Sequence, residues 1–277
     1  MANIARVTRG PVGAAVVVVE GGGHVVALHG EQRFPMQSVY KMPIAMAVLH
    51  QVDRGTLRLD QQVKTMPSDL VPPSRGSQIR DKYPNGTEMA VSELLGAMMG
   101  VSDGTASDIL LKMAGGPERV MGYIKGLSVR GIVVATTERA MAHGEQVQCR
   151  NWAVPELGSA GTGQCRNWAT PDAMAGLLRA LQEGKGLSAS SRLRLLGLMT
   201  AGKTGAGRIK GLLPTGTVVA HKMGLSGTVN GLTRATNDVG LVLLPDGRHL
   251  IMVVFVSDTK ANEATRDAVI AKTARTV

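Results

Sequence analysis

A chain of 277 residues, 44% hydrophobic and 19% charged, has the profile of a folded globular protein and not of a disordered one. It is long enough for one large domain or two closely packed ones. The net charge of +10 raises nucleic-acid binding. The basic residues are dispersed, however, with no Lys/Arg run and no interleaved aromatics, so they read as a solvated surface mildly attractive to anionic substrates.

Aromatics make up only 3% of the chain, so Leu, Val, Ile, Ala and 15 Met must fill the core. Met98, Met99 and Met113 are read as such filler. Residues 12–20, "VGAAVVVVE", and 24–30, "HVVALHG", flank a "GGG" turn and predict a β-hairpin. From Ser38 the period changes. Ile44, Val48, Leu49 and Val52 recur at helical spacing up to Gly55. Residues 66–86, rich in Pro, Gly, Ser and Asp, read as loop. Helices are expected over 91–100, with Ser92 as N-cap, over 107–113, and over 116–127 with Pro117 in the first turn.

Periodicity fails between about 130 and 170, and a long aperiodic connection in a compact chain is usually functional. Helix returns at 170–184 (Thr170 as cap, Pro171 at N1, Gly184 past the end) and at 189–200. Strands follow at 217–224, 239–244 and 250–258, the last two joined through a tight Asp246-Gly247 turn, and then a closing helix. Strands at both ends and helices between predict an α+β fold: an antiparallel sheet built from both termini, flanked by helices, with an inserted all-α subdomain. The expected division is 1–37 with 209–277 for the sheet domain and 38–208 for the helical one. A cleft is expected at the seam.

Two cysteines without a CxxC, and six scattered His without HExxH, predict no metal site and no cofactor. His143 and His221 read as structural. No apolar run is long enough to cross a bilayer, so neither nucleic acid nor membrane is expected as a partner. The opening "MANIARVTRG" has no hydrophobic signal core, as expected of a cytoplasmic or already processed chain.

The sharpest chemical signal is Ser38-Val39-Tyr40-Lys41. Residues i and i+3 share a helix face, so an amine stands beside a hydroxyl and, desolvated, can activate it as a nucleophile. The second match, Ser257–Lys260, reads as a helix-capping segment. Ser102-Asp103-Gly104 follows a helix, Glu138 lies in the aperiodic stretch, and His221-Lys222-Met223-Gly224 ends a strand. Each residue taken alone has a blander reading as cap, turn or surface charge. Their joint order and context favour chemistry.

That set resembles the class A serine β-lactamases, whose motifs are S-x-x-K, S-D-N and K-T-G with a loop glutamate. "RFPMQSVYKMPIAMAVL" is similar to the family's nucleophile segment, "TTERAM" to its omega-loop glutamate segment and "NWATPDAM" to the loop exit. "GRIKGLLPTGTVVAHKMG" and "TNDVGLVLLPDGR" are similar to its C-terminal strands. Gln37 before the serine and "NW" at the exit resemble the divergent extended-spectrum subgroup. The resemblance implies a β-lactamase/transpeptidase-like fold with an omega loop over about 136–170, β-lactam substrates, a monomer, and a mature periplasmic or secreted form whose opening helix is short for the family.

It also implies roles. Ser38 would be acylated, Lys41 would help take its proton, Ser102 would relay a proton to the lactam nitrogen, and Glu138 would activate the deacylating water. Lys222 would hold Ser102 and the substrate carboxylate. The N–H groups of Ser38 and Leu225 would form the oxyanion hole. Gly104, Arg208, Met223, Gly224, Leu225 and Ser226 would line the substrate, with Arg208 helping to bind its carboxylate. Lys203-Thr204-Gly205 spells the third motif but reads as a helix exit, whereas Lys222 has the strand context that motif needs.

The departures are Gly104 for Asn, Met223 and Leu225 for hydroxyl-bearing residues, and Ala142 for a polar residue that helps to hold the water. Each removes a hydrogen bond of about 1.5–3 kcal/mol where a charged group is involved. A working but modest enzyme with altered substrate preference is expected. A penicillin-binding DD-peptidase or esterase would share the motifs but needs no Glu138, and a β-lactam-binding non-enzyme is the other alternative.

"QCRNWA" occurs twice, at 148–153 and 164–169. The chain thus carries one extra unit of about 16 residues at the omega-loop exit. It reads either as a tolerated surface insertion or as a loosening that admits bulky oxyimino cephalosporins and weakens the hold on Glu138. A Cys149–Cys165 disulfide could pin it.

Overall fold

The computed structural model describes residues 1–20, 23, 25–142 and 167–276. His143, Cys149, Cys165 and the inserted unit lie outside the described residues. After a short helix α1 (Ala2–Ala5), β1 (Val12–Val18) and β2 (Val25–Leu28) pair antiparallel as the expected hairpin. The brief β3 (Phe34–Pro35) leads through a 3₁₀ turn, Gln37–Tyr40, into α2 (Lys41–Asp53). The periodicity predicts one apolar face for α2. Instead every residue from Lys41 to Leu49 is buried, because α2 runs through the middle of the helical layer and is packed on all sides.

The segment read as loop is more ordered than its composition suggests. β4 (Gln62–Thr65) and β5 (Thr87–Ala90) pair across it, and α3 (Gln78–Lys82) lies within it. α4 (Val91–Gly100) is capped not by Ser92 but at Ala90, whose N–H donates to Glu93 at 2.7 Å. α5 (Gly104–Met113) begins three residues before its expected start, because Asp103 caps it by accepting the Ala106 N–H. α6 (Gly116–Gly126) carries Pro117 in its first turn as expected. The aperiodic stretch contains β6 (Ile132–Val133), α7 (Glu138–Ala142) and β7 (Trp168–Ala169), with β7 between β3 and β6.

α8 (Pro171–Gln182) has the expected Thr170 cap, and α9 (Ala189–Thr200) follows. β8 (Val219–Leu225), β9 (Thr228–Val229), β10 (Leu232–Leu243), β11 (His249–Thr259) and α10 (Glu263–Arg275) complete the chain. Ser257–Thr259 belong to β11 and cap nothing. The cap of α10 is Asn262, which accepts the Thr265 N–H.

The main sheet runs β2-β1-β11-β10-β8, all antiparallel, with β9 on the end of β10. Strands from the two ends of the chain are therefore neighbours. Val12, Val16, Met252 and Val254 pack toward α10, while Ala15, Val253 and Phe255 face the larger helical core. Burial on both faces explains the continuous apolar runs. Among the described residues no helix is long and apolar enough to cross a membrane. Edge strand β8 lies against the 3₁₀ turn that carries Ser38, and the motif residues meet there.

Candidate active site

Lys41 opens α2 one turn after Ser38, and its side chain is buried beneath the serine. Its Nζ lies 3.1 Å from Ser38 Oγ, 2.7 Å from the Ser102 carbonyl oxygen, 3.3 Å from Ser102 Oγ and 2.9 Å from Glu138 Oε1. Four acceptors compete for at most three protons, so the amine is a junction between hydroxyls and carboxylate. Ser102 sits between α4 and α5 with φ +61°, a conformation a serine holds only when its surroundings impose it. That backbone aims both its carbonyl and its hydroxyl at Lys41. From the other side Lys222 Nζ, on β8, donates to Ser102 Oγ at 3.0 Å and to the Met223 carbonyl at 3.0 Å.

Glu138 is the first residue of α7 and is buried. Its N–H donates to Asp108 Oδ1 at 2.7 Å, and the Arg139 N–H to Asp108 Oδ2 at 3.0 Å. Burial pushes the Glu138 carboxyl up, but Lys41, Arg75 (Nη1 3.6 Å from Oε2) and the Tyr40 hydroxyl together hold it below the usual carboxylate range. Burial pushes Asp108 up to about 6 despite the two N–H groups it accepts. Burial, reinforced by the Lys41 charge, pulls the Lys222 ammonium down to about 7. One buried carboxylate kept ionised, one buried amine poised near neutrality and a hydroxyl between two amines can move protons to and from a serine nucleophile.

The strand and the nucleophile turn touch. A Cβ at Gly224 would fall 2.4 Å from the Met36 carbonyl and 3.3 Å from the Ser38 nitrogen, so only glycine allows this approach. Asn237 Nδ2, on β10, donates to the Pro35 and Met36 carbonyls at 2.7 and 3.1 Å. The turn is thus fixed against the sheet, with Leu225 at the end of β8.

The profile of the β-lactamase enzyme family matches residues 1–277. The extended-spectrum β-lactamase PER-1 of Pseudomonas aeruginosa is 37% identical over 245 residues, 88% of this chain and 74% of that protein. A β-lactamase crystal structure from Chitinophaga pinensis DSM 2588 superposes with a TM-score of 0.89 at 44% identity, covering 99% of this chain and 95% of the other. An ancestral (GNCA) class A β-lactamase gives 0.83 at 32% identity, covering 99% and 95%. The chain belongs to the class A β-lactamase family.

In this β-lactamase the five residues expected to carry chemistry, Ser38, Lys41, Ser102, Glu138 and Lys222, form one connected cluster. The expected lining residues divide. Gly224 presses on the nucleophile turn, and Leu225 is exposed beside it. Met223 packs against the turn at Gly205, where a Cβ would lie 3.2 Å from its Cβ. Ser226 Oγ accepts the Arg234 and Ala235 N–H groups, each at 3.0 Å.

Arg208, expected to help bind the substrate carboxylate, is enclosed by protein groups. It is 1% exposed, and it donates to Asp267 at 2.9 Å and to the Gly224 and Asn237 carbonyls at 3.1 and 3.0 Å. It braces β8 by tying the Gly224 carbonyl to Asp267 of α10 and to the Asn237 carbonyl of β10. Lys203, the rejected motif lysine, is an exposed residue beyond α9.

Sequence reasoning passed over Tyr40, Arg75, Asp108 and Asn167 of this β-lactamase. Tyr40 was visible inside Ser38–Lys41, but its bond to Glu138 spans about a hundred residues. Asn167, in the "NW" pair, accepts the Ala135 and Thr136 N–H groups at 2.7 and 3.1 Å and donates to the Thr136 carbonyl at 3.0 Å. It thereby anchors the approach to Glu138. Arg75 gave no signal beyond lying in a proline-rich segment.

Proposed function

We propose that this enzyme hydrolyses β-lactams through an acyl-enzyme on Ser38. The observation that carries the reading is the position of Lys41 Nζ, within 3.3 Å of Ser38 Oγ, Ser102 Oγ and Glu138 Oε1 together. As Oγ attacks the lactam carbonyl, Lys41 takes the Ser38 proton and passes one of its own to the ionised Glu138, 2.9 Å away, and takes it back as Ser102 is reprotonated. The Ser38 and Leu225 N–H groups receive the developing oxyanion. The C–N bond then breaks as Ser102 passes its proton to the lactam nitrogen and is reprotonated from its neighbouring amines. Glu138, ionised again, takes a proton from water, the water attacks the ester, and Ser38 leaves with a proton. Lys222 supplies the positive charge that receives the substrate carboxylate, and Arg208 adds to it through the strand.

The same reading takes 1–37 with 209–277 as a sheet lobe and 38–208 as a helical lobe, with the site at their seam. It places a monomeric mature enzyme in the periplasm or outside the cell. The relative named extended-spectrum supports a preference reaching beyond penicillins.

Nitrocefin turnover tests the reading, with intact mass measured on the parent, Glu138→Ala and Ser38→Ala. Continuous turnover by the parent, a stoichiometric burst and stable adduct with Glu138→Ala, and neither with Ser38→Ala are expected. Turnover by the parent that Ser38→Ala retains, or a Glu138→Ala protein that forms no adduct, overturns acyl-enzyme chemistry. A parent that acylates but does not turn over favours the peptidase-like alternative.

A further inference from the structure

Tyr40 stands between the nucleophile and its amine in sequence, yet its side chain turns inward. It is 0% exposed, and its ring lies among the core residues of the helical layer. A buried tyrosine needs a partner for its hydroxyl, and this one has two. One is the Glu138 carboxylate. The other is Ser107 Oγ on α5, 3.1 Å away and likewise 0% exposed. Tyr40 and Lys41 are consecutive, so the segment that carries Ser38 grips the same carboxylate twice, through this hydroxyl and through Nζ at 2.9 Å from Oε1.

Chemistry fixes the direction of both hydroxyl bonds. An ionised carboxylate only accepts, so Tyr40 donates its one proton to Glu138. Its oxygen is then left to accept, and Ser107 donates to it. Burial and the charges of Glu138 and Asp108 push the Tyr40 hydroxyl well above its ordinary value, so it stays a neutral donor wherever the enzyme works. Two donated bonds in a chain polarise one another, and the one that reaches the carboxylate gains strength.

Resting on the hydrolase reading, we propose that Tyr40, primed by Ser107, is a positioning residue for deacylation: its hydroxyl holds Glu138 toward the hydrolytic water while Lys41 is engaged with the hydroxyls of Ser38 and Ser102. Lys41 gives and takes protons in each cycle, whereas Tyr40 has no other task and is the constant donor. A bond made to the charged form favours that form. The hydroxyl therefore keeps Glu138 a base at a more acid pH than its charged neighbours alone would allow. Those neighbours are Lys41 on α2, Arg75 in the loop before α3, Asp108 on α5 and Lys222 on β8. Removing one phenol oxygen alters none of them.

The test follows single-turnover loss of the nitrocefin acyl adduct from acid to neutral pH, read by quenching and intact mass, in the parent, Tyr40→Phe and Ser107→Ala. Tyr40→Phe keeps the buried ring and loses only the donor. Its acid limb is expected about one pH unit above that of the parent, so deacylation on the limb falls about tenfold while the rate near neutrality changes much less. Ser107→Ala should shift the limb the same way by less. A limb left in the parent's place overturns the proposal, whether or not the rate falls at every pH, because a purely structural loss does just that. A limb that moves down also overturns it. Such a limb belongs to Asp108, whose carboxyl is raised by burial and by the Glu138 charge and is relieved when Glu138 binds its proton more tightly. If urea denaturation shows that Tyr40→Phe does not fold, the limb of Ser107→Ala decides by the same outcomes. A parent that leaves nitrocefin unhydrolysed overturns the hydrolase reading, and the proposal with it.

Discussion

Asp108 Oδ1 accepts the backbone N–H of Glu138 at 2.7 Å, so one buried carboxylate fixes the main chain of another. Asp108 lies on α5, one turn beyond Gly104, and its second oxygen takes the Arg139 N–H. Ser102, which precedes α5, and Glu138, whose main chain α5 holds, are therefore placed by one helix. Asp108→Ala strands two N–H groups, a cost of about 1–3 kcal/mol. Relief of a desolvated charge offsets part of that. Kinetics should respond more than stability. Deacylation, measured in single turnover, is expected to slow about ten- to a hundredfold, with acylation much less affected. Equal slowing of both steps would contradict this role.

Asn167 holds the other end of the same segment. Its side chain makes three bonds to Ala135 and Thr136 and is buried, and its carbonyl accepts the Met36 N–H at 3.0 Å. Asn167→Ala leaves two donors and one acceptor unpaired, which should lower unfolding free energy by about 2–4 kcal/mol. Asn167→Asp keeps both acceptor bonds but turns a donor into a second acceptor against the Thr136 carbonyl, so it should lie between parent and Ala. Urea midpoints for the three proteins measure the order.

The sheet, the helices and the five motif residues were legible because local signals agree with the fold. The β1–β2 hairpin, the Thr170-Pro171 helix start and the Asp246-Gly247 turn each carry their own chemistry in sequence. The departures arise where tertiary contacts decide. Ser92 is a good cap by type, yet the Glu93 carboxylate reaches Ala90 first. Arg208 is expected from the resemblance to help bind the substrate carboxylate, and its enclosure by Asp267, 59 residues away, and two strand carbonyls is not visible in sequence. Arg75 and Tyr40 join the site only through long-range proximity to Glu138, which no spacing rule encodes.

Gly224 marks where β8 and the nucleophile turn approach most closely. Gly224→Ala places a methyl against a backbone carbonyl that Asn237 already fixes. The strand must move outward, carrying the Leu225 N–H away from that of Ser38. A stability loss of about 1–3 kcal/mol is expected from the overpacking, with a fall in kcat of about a hundredfold or more as the oxyanion hole widens. Retained kcat in a folded Gly224→Ala protein would show that these N–H groups do not bind the oxyanion.

Lys222 should give the enzyme its alkaline limb. Its amine is brought down to about 7 by burial and by the Lys41 charge, so in the free enzyme the ammonium proposed to receive the substrate carboxylate is half lost near neutrality. The kcat/KM profile, which reports the free enzyme, is expected to fall above pH 7. The kcat profile should fall at higher pH, because a bound carboxylate favours the charged amine. Lys222→Arg, which does not deprotonate, should shift the limb upward by more than one pH unit. An unmoved limb would assign it to another group. Stability runs the opposite way: a lysine depressed on folding costs stability while it stays protonated. That cost is full below pH 7 and fades as pH rises toward the ordinary lysine value of 10.5. Lys222→Met cannot titrate, so its stability advantage over the parent should be greatest below pH 7 and shrink steadily toward pH 10.5, as read from denaturant midpoints across that range.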